Sequence, residues 1–163
     1  MNFKNIIITL TILVLVSAMV SGVTAKWGYS NELLSAFEMD IPSSEDLDYE
    51  YDYDKNLETY TGYELKINIY YIADGADITS INSTINKGKE IPNTEYDAKG
   101  FAKNMTIYSM DYNGKEQYYA VYESEDILIT IKYDNLDDLA YMISTLEPWA
   151  VEGGGIDFTG AKH

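Results

Sequence analysis

Eight carboxylates stand between residues 38 and 54 with no Lys or Arg among them: Glu38, Asp40, Glu45, Asp46, Asp48, Glu50, Asp52 and Asp54. Oxygen ligands at this density suit a hard cation, and Ca²⁺ is the ion such a set would take. The run Asp48-Tyr49-Glu50-Tyr51-Asp52-Tyr53-Asp54 alternates with period two. In a strand it places Asp48, Glu50, Asp52 and Asp54 on one face and the tyrosines on the other. These four acids are the calcium candidates. Their spacing is not that of an EF-hand: in the frame opening at Asp52, Leu57 stands where Gly is required and Tyr63 where Glu must close the loop. The competing reading is a solvated strand face whose charge keeps a sheet edge from pairing with other chains.

Residue types exclude several catalytic chemistries. The single His is His163, beyond Gly153-Gly154-Gly155, and there is no Cys. A Ser-His or Cys-His nucleophile needs a held imidazole, and a zinc site of His and Cys lacks its ligands. The Gly triplet has no Lys-Ser/Thr after it and forms no phosphate loop. The sequence therefore predicts no catalytic residue, no bound cofactor apart from the calcium candidate, and a non-enzymatic protein. The alternative is a small hydrolase working with carboxylates alone, which needs two acids facing one pocket with one pKa raised.

Two further sets could carry binding or modification. The 16 Tyr offer a platform for a glycan or a peptide, or simply fill a sheet. Asn82-Ser83-Thr84 and Asn104-Met105-Thr106 are glycosylation sequons, with Asn82 and Asn104 as acceptors.

Positioning these residues falls to a short series of elements. Met1–Asn5 carries Lys4, residues 6–20 are an apolar run, and Val23 and Ala25 are small residues at a peptidase's reading positions. Residues 1–25 read as a secretory signal peptide cut after Ala25. The alternative is an uncleaved anchor, since the stretch to Ala25 is just long enough to span a bilayer. Residues 26–46 read as an acidic spacer with two possible helical turns after Ser30. Residues 47–150 read as an α+β domain, and 151–163 as a Gly-rich mobile tail.

Within the domain, 48–54 and 63–71 alternate as strands and are expected to pair as a hairpin. Asp77 opens a helix with Ile78, Ile81 and Ile85 on one face. Strands are expected over 102–111, 116–122 and 127–133, with Asn113-Gly114 as a type I′ turn. A second helix runs from Asp134 as N-cap to Pro148, with Leu136, Leu139, Ala140, Ile143 and Leu146 as its stripe. The expected fold is thus α+β: a signal helix, then a five-stranded antiparallel sheet in ββαβββα order, with both helices on one face.

This order resembles the PsbP/Mog1-like α+β fold and small secreted proteins of methanogenic archaea. The likeness lies in Tyr118–Tyr122, Ile127–Ile131 and the capped segment Asp134–Leu146, over residues 48–147. It carries a pattern of elements and no catalytic motif, so it implies fold and not activity.

The net charge is −16, all basic residues are Lys, and removal of the signal would take away only Lys4 among the charged side chains. Such a chain repels nucleic acids and anionic lipid heads. Without Arg it lacks the planar fork that grips phosphate. The expectation is an exported binding or interaction protein, secreted or at the outer cell surface. Its partner would be a protein, a glycan or a cation. It would meet no nucleic acid, and no membrane except through an uncleaved 6–25 segment, in which case it would be an anchored accessory subunit.

Overall fold

Isoleucines alternating with polar residues build the centre of the molecule. The computed structural model describes residues 26–148; the signal segment, its cut after Ala25 and the Gly-rich tail lie outside the described residues. Ile67 and Ile69 of β5 (Lys66–Tyr71) sit opposite Ile131 and Ile129 of β9 (Ile127–Tyr133), and all four are fully buried. β-Branched side chains of this kind pack well on a pleated face.

Beyond β9 follow β8 (Lys115–Glu123), β7 (Thr106–Tyr112) and β6 (Lys89–Ile91). Beyond β5 follow β4 (Leu57–Thr61) and β3 (Asp48–Asp52). The result is a seven-stranded sheet in the order β3-β4-β5-β9-β8-β7-β6, with every neighbouring pair antiparallel. A second sheet of three strands, ordered β1-β2-β10, is made by β1 (Tyr29–Leu33), β2 (Phe37–Pro42) and β10 (Glu147–Pro148). Two helices, α1 (Thr79–Ile85) and α2 (Leu136–Ser144), and a 3-10 turn over Gly100–Asn104 complete the described chain.

The expected single five-stranded sheet is therefore overturned. Residues 26–46 carry the β1–β2 hairpin in place of a spacer or helical turns. Phe37, Met39 and Ile41 are buried while Glu38 and Asp40 alternate between them. The segments 48–54 and 63–71 do not pair, because β4 lies between them and bonds to both. Residues 102–104 belong to the 3-10 turn, and the strand begins only at Thr106. α2 is capped by Asn135, whose side-chain oxygen accepts from the Asp138 N–H at 3.0 Å, one residue later than Asp134. It stops at Ser144, so Glu147 and Pro148 can pair with Glu38 and Phe37. Asn113 and Gly114 do form the left-handed turn between β7 and β8, with φ of 55° and 80°.

The helices also lie on opposite faces of the large sheet, not on one. Ile127, Ile129 and Ile131 join a core with Phe37, Met39, Ile41, Leu139, Met142 and Ile143. Leu128 projects the other way yet is equally buried, and with Ala76 and Ile85 it stands outside that core. The β5–α1–β6 crossover runs over this second face. A Cβ added at Gly88 would stand 3.0 Å from the Tyr108 Cβ and 3.1 Å from the Met110 Cε. Both those side chains alternate out of phase with the core residue Ile107.

Candidate functional site

β3 is one of the two edges of the large sheet, and its tyrosines converge on a buried acid. The register sets Tyr49 opposite Tyr60 and Tyr51 opposite Glu58, and Glu58 in turn opposite Ile69. Period two then forces Glu58 onto the core face, where only 6 % of it is exposed. The tip of the β1–β2 hairpin, closed by the Leu34 N–H to the Phe37 carbonyl at 2.9 Å, lays Ser35 over this acid.

Three hydroxyls donate to the Glu58 carboxylate. Ser35 Oγ bonds Oε2, Tyr60 Oη reaches Oε2 at 3.2 Å, and Tyr71 Oη reaches Oε1 at 2.9 Å. The Ser35 N–H donates to Tyr60 Oη at 3.0 Å, and Ser35 Oγ lies 3.3 Å from Tyr71 Oη. None of the ion pairs among the described residues involves Glu58. A buried carboxylate without a cation needs such donors. Burial pushes the Tyr71 hydroxyl well above the usual range, and the Glu58 charge adds to this against the opposing Ser35 hydrogen bond. Tyr60 is raised for the same first reason.

The rings form a connected surface around this network. Tyr49 and Tyr60 have centroids 5.1 Å apart, Tyr51 and Tyr71 6.5 Å, and Tyr51 and Tyr53 meet edge to face at 4.6 Å. Tyr53 is 84 % and Tyr49 57 % exposed, and Ser35 also reaches solvent. The arrangement sets aromatic faces beside hydroxyls and one carboxylate acceptor, all facing the same edge.

Asp48, Glu50 and Asp52 lie on the opposite face of β3 from Glu58, so they form no carboxylate pair with it. Asp54 is in the turn after the strand. Asp52 is engaged by Lys55 Nζ at 2.6 Å and accepts from the N–H groups of Asp54 and Lys55. The hydrogen bond and charge of Lys55 hold its carboxyl below the usual range. Among the described residues no group of three or more acids or His stands close enough to hold a metal. The acids do occupy a sheet edge, where charge opposes strand addition. Asn104 is exposed at the end of the 3-10 turn, whereas Asn82 is half-buried within α1.

Sequence reasoning passed over Ser35, Glu58, Tyr60 and Tyr71. The available signal was the alternation Glu58-Thr59-Tyr60, with the acid in phase with an aromatic residue.

No family model, curated protein or solved structure matches the chain. No match bears on the likeness to PsbP/Mog1-like proteins, and the ββαβββα order that suggested it is not the order found. Among the described residues no helix is long and apolar enough to cross a membrane.

Proposed function

We propose that the protein is an exported, non-enzymatic binding domain that works outside the cell or at its surface and holds a neutral glycan on its tyrosine edge. The observation that carries this reading is the exposed pair Tyr49 and Tyr53, with half-buried Tyr51 between them, around the Ser35–Glu58–Tyr71 network. A sugar ring packs its C–H face on an aromatic ring, and its hydroxyls need acceptors and donors close by. Tyr supplies such area at low entropic cost. A net charge of −16 disfavours anionic ligands and leaves neutral ones unopposed. Export is supported by the composition of residues 1–25.

Calorimetric titration with a panel of neutral oligosaccharides tests the reading. Binding should weaken at least tenfold in Tyr53→Ala, whose ring stands in solvent and contributes little to folding. Failure of every neutral glycan to bind, or binding indifferent to Tyr53→Ala, would overturn it.

A further inference from the structure

Lys26, the residue immediately after the expected cut, is fastened by both of its nitrogens. Its backbone N–H donates to Tyr141 Oη at 2.8 Å, and its Nζ meets Asp138 Oδ1 at 2.6 Å. Nζ also lies 5.1 Å and 5.4 Å from the ring centroids of Tyr29 and Tyr141, within cation–π range. The two rings meet edge to face at 4.7 Å. Tyr141 Oη in turn donates a hydrogen bond to Asp40 Oδ2 at 2.9 Å.

The charge at this clasp is unbalanced. Two carboxylates, Asp40 of β2 and Asp138 of α2, face it together with the hydroxyls of Tyr29 and Tyr141, and Tyr133 of β9 is the next ionisable group. The one cation supplied is Lys26 Nζ, and it is taken by Asp138. Asp40 has no cationic partner among the described residues. Among the described residues its carboxylate accepts from Tyr141 and, at 3.4 Å, from Asn31 Nδ2.

We propose that Lys26 is the first residue of the working protein and that the α-ammonium released by the cut is received by the Tyr141–Asp40 pair. The step is hydrolysis of the Ala25–Lys26 peptide bond by a membrane signal peptidase. Water adds across the C–N bond, Ala25 leaves as a carboxylate, and the amine takes up a proton. The new charge arises where a hydrogen bond to Tyr141 is already formed and where Asp40 has no counter-ion among the described residues. Processing thereby closes the clasp between the hairpin β1–β2 and α2. The inference rests on the export reading above but not on the glycan.

The test uses the full chain expressed in an exporting host. Intact mass of the exported product should correspond to a start at Lys26. Its α-amine should then acylate at neutral pH several-fold more slowly than the same chain in urea. That protection should fall in Tyr141→Phe and in Asp40→Asn, each checked for folding by circular dichroism. A product that keeps residues 1–25, or starts elsewhere, overturns the proposal and the cleavage together. A start at Lys26 with an α-amine as reactive as in urea overturns the docking alone and leaves export standing. If Tyr141→Phe does not fold, Asp40→Asn and the urea reference carry the comparison.

Discussion

Replacing Tyr71 by Phe removes the hydroxyl that donates to Glu58, together with its longer 3.3 Å contact with Ser35 Oγ. Tyr71 Oη is the donor to Glu58 Oε1 at 2.9 Å, whereas Oε2 has two donors, Ser35 and Tyr60. Phe keeps the ring and its contact with Tyr51, so the loss is the hydroxyl alone. Hydrogen bonds to a charged group contribute roughly 1.5–3 kcal/mol each, and a buried acceptor left bare costs a similar amount. Tyr71→Phe should therefore destabilise by roughly 1.5–3 kcal/mol, a substantial part of the 5–15 kcal/mol (roughly) that holds a domain together.

Tyr60→Phe makes the internal control. It leaves Ser35 on Oε2, and it frees a Ser35 N–H that water can reach, because Ser35 is exposed. Its cost should be about 1 kcal/mol. Urea unfolding followed by far-ultraviolet circular dichroism measures both, with an unchanged slope showing that only stability moved. A Tyr71→Phe variant within about 0.5 kcal/mol of the parent, or one less damaging than Tyr60→Phe, would refute the assignment of Glu58 as a buried charge held by these hydroxyls.

Three further outcomes follow from named contacts. Gly100 has φ +53°, and a Cβ there would run into the Ser144 carbonyl oxygen at the end of α2; Gly100→Ala should cost roughly 2–4 kcal/mol in the same urea assay. Burial raises the Asp138 carboxyl, but the Lys26 ammonium and the Tyr29 hydroxyl outweigh this and hold it below its usual value. The folded pKa is thus below the unfolded one, so its stabilisation is present above about pH 4 and lost as pH falls further. Asp138→Asn should cost up to about 1 kcal/mol at neutral pH and converge with the parent in urea melts at about pH 2.5. Burial, with the nearby Glu45 and Asp138 charges, pushes the Tyr133 hydroxyl up to about 12. Its unfolded form releases the proton first, so stability is intact below about pH 10 and falls by up to roughly 2–3 kcal/mol by about pH 12. Tyr133→Phe should flatten that alkaline loss, read as the slope of stability against pH.

How much was legible depended on whether the inward residues looked apolar. The alternation in 66–71 and 127–133, the Asn113-Gly114 turn and the α2 stripe all announce themselves, and each stands close to where the pattern puts it. β2 was written just as plainly as Phe37-Glu38-Met39-Asp40-Ile41, but the density of acids there drew attention to charge and hid the period. β4 was harder, since its inward pair is Glu58 and Tyr60, and a buried Glu reads as a surface residue until its donors are known. The second face was signalled at Ile127-Leu128-Ile129-Thr130-Ile131, a nearly continuous apolar run of the kind strands show when covered on both sides. Leu128 and Thr130 are both buried, and Thr130 Oγ1 accepts from Asn68 Nδ2 at 3.3 Å. A single apolar face cannot explain them, and the crossover through α1 does.

The acidic run that first suggested cation chemistry finds much of its use inside the fold. Glu45 is buried and its carboxylate accepts from the N–H groups of Glu64 at 3.2 Å and Leu65 at 3.4 Å, tying the link before β3 to the β4–β5 turn. Gly62 is the close approach this requires, because a Cβ there would collide with the Glu45 carboxylate. Asp52 caps the β3–β4 turn, and Asp40 joins β2 to α2 through Tyr141. Hydrogen bonds to ionised acceptors are roughly twice as strong as neutral ones. In a chain without Cys or Arg, carboxylates fastened to backbone N–H groups and tyrosine hydroxyls take the place that disulfides hold in many small exported domains. The same chemistry makes the tyrosine edge available: Glu58 is one more such fastening, and it lies where Ser35 and the rings of β3 open to solvent.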